Sequence, residues 1–244
     1  MEHFSKLNIK IFADGADKGG MLELYHRPMI QGFTTNPSLM RKAGIVDYEE
    51  FARDILQTIH DKSISFEVFA DEFDEMEEQA YQIASWGKNV MVKIPVMNTK
   101  GHFTGALIER LSHAGVPLNV TAILTLQQVR DVAKHLAKET PAIISVFAGR
   151  IADTGIDPVP VMKQALMALD HLPRAELLWA SPRELLNVIQ ADEIGCHIIT
   201  ATNDILNKLS LLGKDLHEYS LETVKMFYRD ACSAGFSLKE PVAA

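Results

Sequence analysis

The stretch "NVMVKIPV", residues 89–96, sets Lys93 inside a run of valine, methionine, isoleucine and proline. A short run that is apolar at both parities reads as a β-strand covered on both faces, the kind found in parallel sheets flanked by helices. Side chains alternate along a strand, so Lys93 shares a face with Met91 and Pro95, while Val90, Val92 and Ile94 point the other way.

Seven further runs of this kind accompany it: "KIFA" near residue 10, "GFTT" near 32, "ISFEVF" near 64, "PLNVTAI" near 117, "AIISVF" near 142, "ELLWA" near 176 and "CHIITA" near 196. Helical patterns lie between them. "YEEFARDILQTIH" follows Asp47, which with Glu50 has the form of a capping box, and "EFDEMEEQAYQIASWG" sets Phe73, Met76, Ala80 and Ile83 on one stripe with acids at its start. Further helices are expected from "GALIERLSHAG", "LQQVRDVAKHLAKE", "PVMKQALMALDHL", "PRELLNVIQADEIG" and "NDILNKLSLLG". Strands alternating with helices need crossover connections, and about eight such units predict a single α/β domain, a (β/α)8 TIM barrel over residues 1–244. The tail "LETVKMFYRDACSAGF" adds a C-terminal helical extension at about residues 215–236. A doubly wound sheet is the architectural rival, but no Gly-x-Gly-x-x-Gly follows a strand, and "DKGG" is a weak phosphate-loop mimic.

The chain has 244 residues, 47% of them hydrophobic, and a net charge of −8, enough for one sizeable core. The acidic balance, without a Lys/Arg block, argues against nucleic acid as the main partner. A phosphorylated substrate is still allowed, because a few arginines focused in one pocket outweigh net charge locally. The apolar runs are too short for a membrane helix, and "MEHFSKLNIKIF" lacks the form of a secretory signal, so no membrane partner and a cytoplasmic location are expected. Cys196 and Cys232 form neither a disulfide framework nor a Cys-x-x-Cys site. The nine histidines show no three- or four-residue pairing, so no metal site is expected.

In a barrel of this kind chemistry gathers at the carboxyl ends of the strands. Reading those ends gives Asp14, Asn36, Glu67 and Lys93, then Asn119 and Thr121, Ser145, Phe147 and Arg150, and finally Ser181 and Arg183. Seven of the eight strands deliver polar or ionisable groups to one rim. Each residue has a plainer reading: Asn36-Pro37 as a strand-to-helix turn, Ser181-Pro182 as a helix cap, Asp14 as the cap of the first helix. Their convergence favours a site.

Lys93 also admits two readings. One is a buried ion pair with Asp14 or Glu67 that holds the barrel together. The other is an amine that attacks a carbonyl. An unperturbed lysine is neutral only about once in 2,500 at pH 7, whereas burial disfavours the charged form. A neutral amine forms a Schiff base with no cofactor.

The motifs "FADGAD", "GFTTNPSL", "VMVKIPV", "GVPLNVTAI", "SVFAGRIAD" and "WASPREL", in this order, resemble those of the transaldolases, in particular the short branch that includes fructose-6-phosphate aldolases. The resemblance covers nearly the whole chain. It implies that Lys93 forms the Schiff base, that Asp14 is the acid/base at the hydroxyl beside the broken bond, and that Glu67 acts through a water held by Thr121. It implies further that Asn36, Asn119 and Ser145 hold substrate hydroxyls and the intermediate, that Phe147 lines the site, and that Arg150, Ser181 and Arg183 take the phosphate. The partners implied are sugar phosphates and further copies of the chain in a homo-oligomer. A helix closing its own barrel is an equally consistent use of the tail.

The aldolase branch tends to carry glutamine and tyrosine where this chain has Glu67 and Phe147, which favours transfer of a dihydroxyacetone unit over its release. Three departures stand out. Gly15 replaces a hydroxyl residue, Pro182 replaces an aromatic one, and "KIPVMNTKG" carries an extra residue that shifts Thr99. The rival of another class is a non-catalytic sugar-phosphate binder in which Lys93 is structural.

Overall fold

In the computed structural model, which describes residues 7–236, eight strands close into a barrel in sequence order, each parallel to its neighbours. They are β1 (Lys10–Asp14), β2 (Ile30–Thr34), β3 (Ser63–Glu67), β4 (Val90–Pro95), β5 (Leu118–Ile123), β6 (Ala142–Val146), β7 (Ala175–Trp179) and β8 (Ile198–Ala201). The eight expected runs are the eight strands.

The helices between them are α1 (Lys18–Tyr25), α2 (Pro37–Lys42), α3 (Tyr48–Thr58), α4 (Phe73–Ala84), α5 (Gly105–His113) and α6 (Leu126–His135). Then follow α7 (Ala148–Asp153), α8 (Pro158–Leu169), α9 (Leu186–Glu193) and α10 (Asn203–Lys208). Their starts follow local chemistry. Asp17, Asn36, Asp47 and Asp157 each accept a backbone N–H of the first turn, Thr125 forms a reciprocal box with Gln128, and Pro37 and Pro158 open their helices. The apolar stripe expected on α4 is buried at Met76, Ala80 and Ile83.

Val92 and Ile94 are fully buried on the helix-facing side of β4. On the inner side Met91 joins Phe12, Ile143, Leu178, Ala180 and Ile198 in an apolar plug. Gly32 makes room for it: a Cβ there would lie 2.5 Å from the Phe12 ring. Phe12 and Met91 sit two residues before Asp14 and Lys93 on the same strand faces. The plug is therefore the floor on which the polar layer rests.

The chain divides into two compact units, Leu7–Asn207 with the barrel and a second that begins at Lys208. The second contains α11 (Leu216–Ser233), the helix expected in the tail, capped by Asp215 on the Glu218 N–H. None of its residues is buried, and Leu216, Val224, Phe227 and Tyr228 are among its exposed apolar side chains. Among the described residues no helix is long and apolar enough to cross a membrane.

Candidate active site

At the carboxyl ends of the strands lies a cavity of about 420 Å³. All eleven residues singled out from the sequence line it: Asp14, Asn36, Glu67, Lys93, Asn119, Thr121, Ser145, Phe147, Arg150, Ser181 and Arg183. Thr200 and Thr202 line it too, so the eighth strand contributes as well, and the count of seven strands is corrected to eight. The signal was legible in "CHIITA", where Thr200 is the polar residue among the apolar ones of β8.

Lys93 is 6% exposed. Register places it between Glu67 on β3 and Asn119 on β5. Its Nζ lies 2.9 Å from Glu67 Oε2 and donates to the Thr35 carbonyl at 2.7 Å. The ion pair weighed against catalysis from the sequence is thus present, with Glu67 as partner. It is not sealed in the core, because both of its members line the cavity.

Asp14, at the end of β1, accepts from Thr34 Oγ1 at 2.8 Å and from the Asn36 side chain. Thr34 has a single hydroxyl hydrogen, so across the 2.6 Å contact between the two threonines Thr200 is the donor. Burial raises the pKa of Asp14 above the usual carboxylate value; the charge of Lys93 and the bonds from Thr34 and Asn36 oppose this rise, and nearby Glu67 adds to it. Asp14 does not cap the first helix. Asp17 does. The plainer reading of Asn36 holds beside its place in the site, since its Oδ1 caps α2 through the Leu39 N–H.

A second chain of bonds lies on the other flank. Ser145 Oγ donates to Asn119 Oδ1 at 2.6 Å, and Asn119 Nδ2 donates to Ser65 Oγ at 3.0 Å, which fixes the orientation of the amide. Thr121 Oγ1 is buried and without a hydrogen-bond partner among the described residues. The following residue, Ala122, has φ +61°, where the register between β5 and β6 shifts. Left-handed backbone in a non-glycine residue costs on the order of 1 kcal/mol, and this bulge lies in the cavity wall.

The end of the cavity that carries Arg150 and Arg183 is built by α7 and the loop after β7. The Arg150 guanidinium stands 5.3 Å from the Phe147 ring centroid, a cation–π contact that steadies it. Arg183 donates from Nε to Asp153 Oδ1 at 2.9 Å and from Nη2 to Oδ2, and these bonds hold the Asp153 carboxyl below its ordinary pKa. Asp153 was not anticipated; nothing in the sequence marks it as the partner of a residue thirty positions on. Ser181 has φ +60°, and its carbonyl presses on Gly149, where a Cβ would lie 1.6 Å from the oxygen. Ser181 does not cap a helix, since the residue flanking α9 is Leu185.

Two of the noted departures resolve plainly. Thr99 lies outside the cavity, its N–H and hydroxyl both bound to Asp71 at 2.7 Å. Gly15 faces open space, with nothing within 4 Å of where a Cβ would be.

Residues 11–240 match the Transaldolase/Fructose-6-phosphate aldolase family. The chain belongs to it. Among curated proteins, "Probable transaldolase 2" of Listeria monocytogenes is 34% identical over 202 residues, covering 82% of this chain and 88% of that protein. "Probable transaldolase" of a Thermoanaerobacter species is 31% identical over 224 residues, covering 91% and 98%. Among solved structures, a putative lyase/mutase from Burkholderia cenocepacia is similar with a TM-score of 0.59 at 13% identity, covering 85% of this chain and 81% of that one. 3-Hexulose-6-phosphate synthase from Salmonella typhimurium gives 0.55 at 12%, covering 82% and 91%. At such identities these two speak for the barrel alone.

Proposed function

We propose that the chain is a transaldolase that moves a dihydroxyacetone unit from a ketose phosphate to an aldose phosphate through a Schiff base on Lys93, without a cofactor, in the cytoplasm. The observation that carries the reading is that Lys93, held between a carboxylate and a carbonyl, faces one cavity together with Asp14 and two arginines.

Glu67, 2.9 Å from Nζ, takes the ammonium proton, and the freed amine adds to the substrate's C2 carbonyl. Loss of water from the carbinolamine needs a proton delivered to the departing oxygen; Glu67 returns one through a water on the free Thr121 hydroxyl. The protonated imine then draws the electrons of the C3–C4 bond as Asp14 accepts the proton of the C4 hydroxyl. An aldose phosphate leaves and an enamine stays on Lys93. Addition of a second aldehyde reverses these steps. Asp14 suits its part because burial makes it a stronger base than an exposed carboxylate. Arg150 and Arg183 hold the phosphate through planar guanidinium donors, with Ser181 as a third.

Transfer rather than release requires an enamine that is slow to be protonated. The Phe147 ring offers no proton where a tyrosine would. The exposed apolar side chains of α11 support a homo-oligomer, since isolated helices rarely leave such a face to water.

Borohydride reduction in the presence of fructose 6-phosphate, followed by peptide mass spectrometry, should place a three-carbon adduct on Lys93. No adduct at Lys93 would defeat the reading. Lys93→Ala should abolish turnover but keep inorganic phosphate binding within about twofold, because the arginines sit on α7 and on the loop after β7. Fructose 6-phosphate alone should yield only traces of dihydroxyacetone; steady release would assign the chain to the aldolases instead.

A further inference from the structure

Register leaves Glu67 in an awkward position. β2 pairs with β3 from Gly32–Ser63 to Thr34–Ser65, and a last backbone bond runs from the Thr35 N–H to the Ser65 carbonyl at 3.1 Å. Beyond it the chain turns away at Asn36 into α2. At the level of Glu67 there is therefore no strand on the β2 side, whereas on the β4 side the next residue, Val68, still bonds to the Lys93 carbonyl. Backbone groups facing such a gap need a partner.

Tyr48, the first residue of α3, supplies it. Its hydroxyl accepts the Glu67 N–H at 2.7 Å and donates to the Glu67 carbonyl at 2.8 Å. A hydroxyl is donor and acceptor at once, so one side chain satisfies both groups as a strand would. Burial raises the pKa of this phenol, which keeps it protonated and able to donate. The ring lies edge-on to those of Phe66 and the exposed Phe69.

We propose that Tyr48 is a positioning residue for the reaction, holding Glu67 at the distance from which it exchanges a proton with Lys93; the inference rests on the Schiff-base reading above. In the resting site Glu67 has two holds, its carboxylate on Lys93 and its backbone on Tyr48. Once the nitrogen becomes an imine the first weakens, and Tyr48 remains. Its loss is therefore felt in turnover more than in substrate binding.

Tyr48→Phe, which keeps the ring, should lower kcat by about tenfold or more with KM changed by less than about twofold, since displacing a reacting group by about 1 Å can cost 10²-fold. In a Glu67→Gln background the same change should cost less than about twofold, because the two residues act as a unit. Phe69→Ala, which strips ring packing but leaves the hydroxyl, should leave kcat near that of the unaltered chain. Overturning results are a kcat for Tyr48→Phe within about twofold of the unaltered chain, an equal loss in the Glu67→Gln background, or an equal loss from Phe69→Ala. If Tyr48→Phe does not fold, amide exchange in the unaltered chain decides: the Glu67 N–H should exchange slowly, and exchange at the rate of an unprotected amide sinks the proposal. Absence of the borohydride adduct on the unaltered chain sinks both readings, whereas an adduct with an unaffected Tyr48→Phe sinks only this one.

Discussion

Gly149 offers the sharpest test of how the arginine-bearing end of the cavity works. Its N–H donates to the Ala180 carbonyl at 3.3 Å, so α7 and the loop after β7 are already in backbone contact. A Cβ at this position would lie 1.6 Å from Ser181 O, 2.7 Å from Ser181 C and 3.5 Å from Arg183 Cγ. Real Cβ atoms do not approach closer than 3.0 Å, so Gly149→Ala forces a retreat of at least 1.4 Å. The atom in the way is backbone, and Ser181 already sits at φ +60°, so the loop has little freedom to yield. Overpacking of this kind costs about 1–3 kcal/mol, and in a chain of this length each kcal/mol lowers Tm by about 2–4 °C. The retreat carries Ser181 and Arg183 with it, and a displacement of about 1 Å can cost about 10²-fold. Lys93, Asp14 and Glu67 stand on other strands and keep their geometry. Gly149→Ala should therefore raise KM for fructose 6-phosphate by about tenfold to 10²-fold and weaken inhibition by inorganic phosphate in parallel, while kcat/KM for unphosphorylated fructose stays within about threefold. Equal losses on both sugars, or an unchanged KM for the phosphorylated one, would show that this loop does not hold the phosphate.

Three further outcomes follow from the same geometry. Because the folded chain holds the Asp14 proton more tightly than the unfolded chain, it binds more protons from pH 3.8 up to the raised pKa, and stability falls as pH climbs through that interval. Asp14→Asn, neutral throughout, should melt higher than the unaltered chain at pH 7, lose that advantage as pH falls toward 3.8, and turn over about 10²–10⁴-fold more slowly; a lower melting point at pH 7 would contradict the sign. Asp153→Asn frees Arg183 from an exposed pair worth at most about 1 kcal/mol, so calorimetry should find inorganic phosphate bound up to about fivefold tighter, and weaker binding would mean that Asp153 chiefly holds the arginine in place. Ending the chain before Leu216 should reduce the mass seen in sedimentation to that of a single barrel while the Lys93 adduct still forms, and an unchanged assembly would clear α11 of any part in it.

The strands were legible because parallel barrel strands are covered on both faces, and the eight runs are short and mostly apolar or β-branched. Residues at their carboxyl ends could be named because in this architecture strand direction alone decides which end faces the site. Helices α1, α2 and α7 gave no periodic pattern from which to set their bounds: they span only 8, 6 and 6 residues, too few for an apolar stripe to stand out. Ser65, Tyr48 and Asp153 were hidden for a different reason. Each matters through a neighbour that only the closed barrel brings near: Asn119 for Ser65, the backbone of Glu67 for Tyr48, and Arg183 for Asp153. Asn36 was read two ways, as part of a strand-to-helix turn and as a site residue, and both fit the structure, where its Oδ1 opens α2 and the residue lines the cavity.

The pairing of Lys93 with Glu67 bears on both readings of the lysine, and the third charge separates them. A buried pair kept for stability gains nothing from another carboxylate nearby, and often gains little over apolar residues of the same volume. Here Asp14 is added to the same cavity, where burial and the charge of Glu67 both work against its ionised form. A barrel selected for stability alone would place an amide or an aliphatic side chain there. Two carboxylates around one lysine become intelligible if two different protons must be moved, one between nitrogen and water and one from a substrate hydroxyl. The bond networks divide along the same line, with Thr34 and Thr200 aligned behind Asp14 and Tyr48 behind Glu67, so that each acid is oriented by its own support rather than by the other.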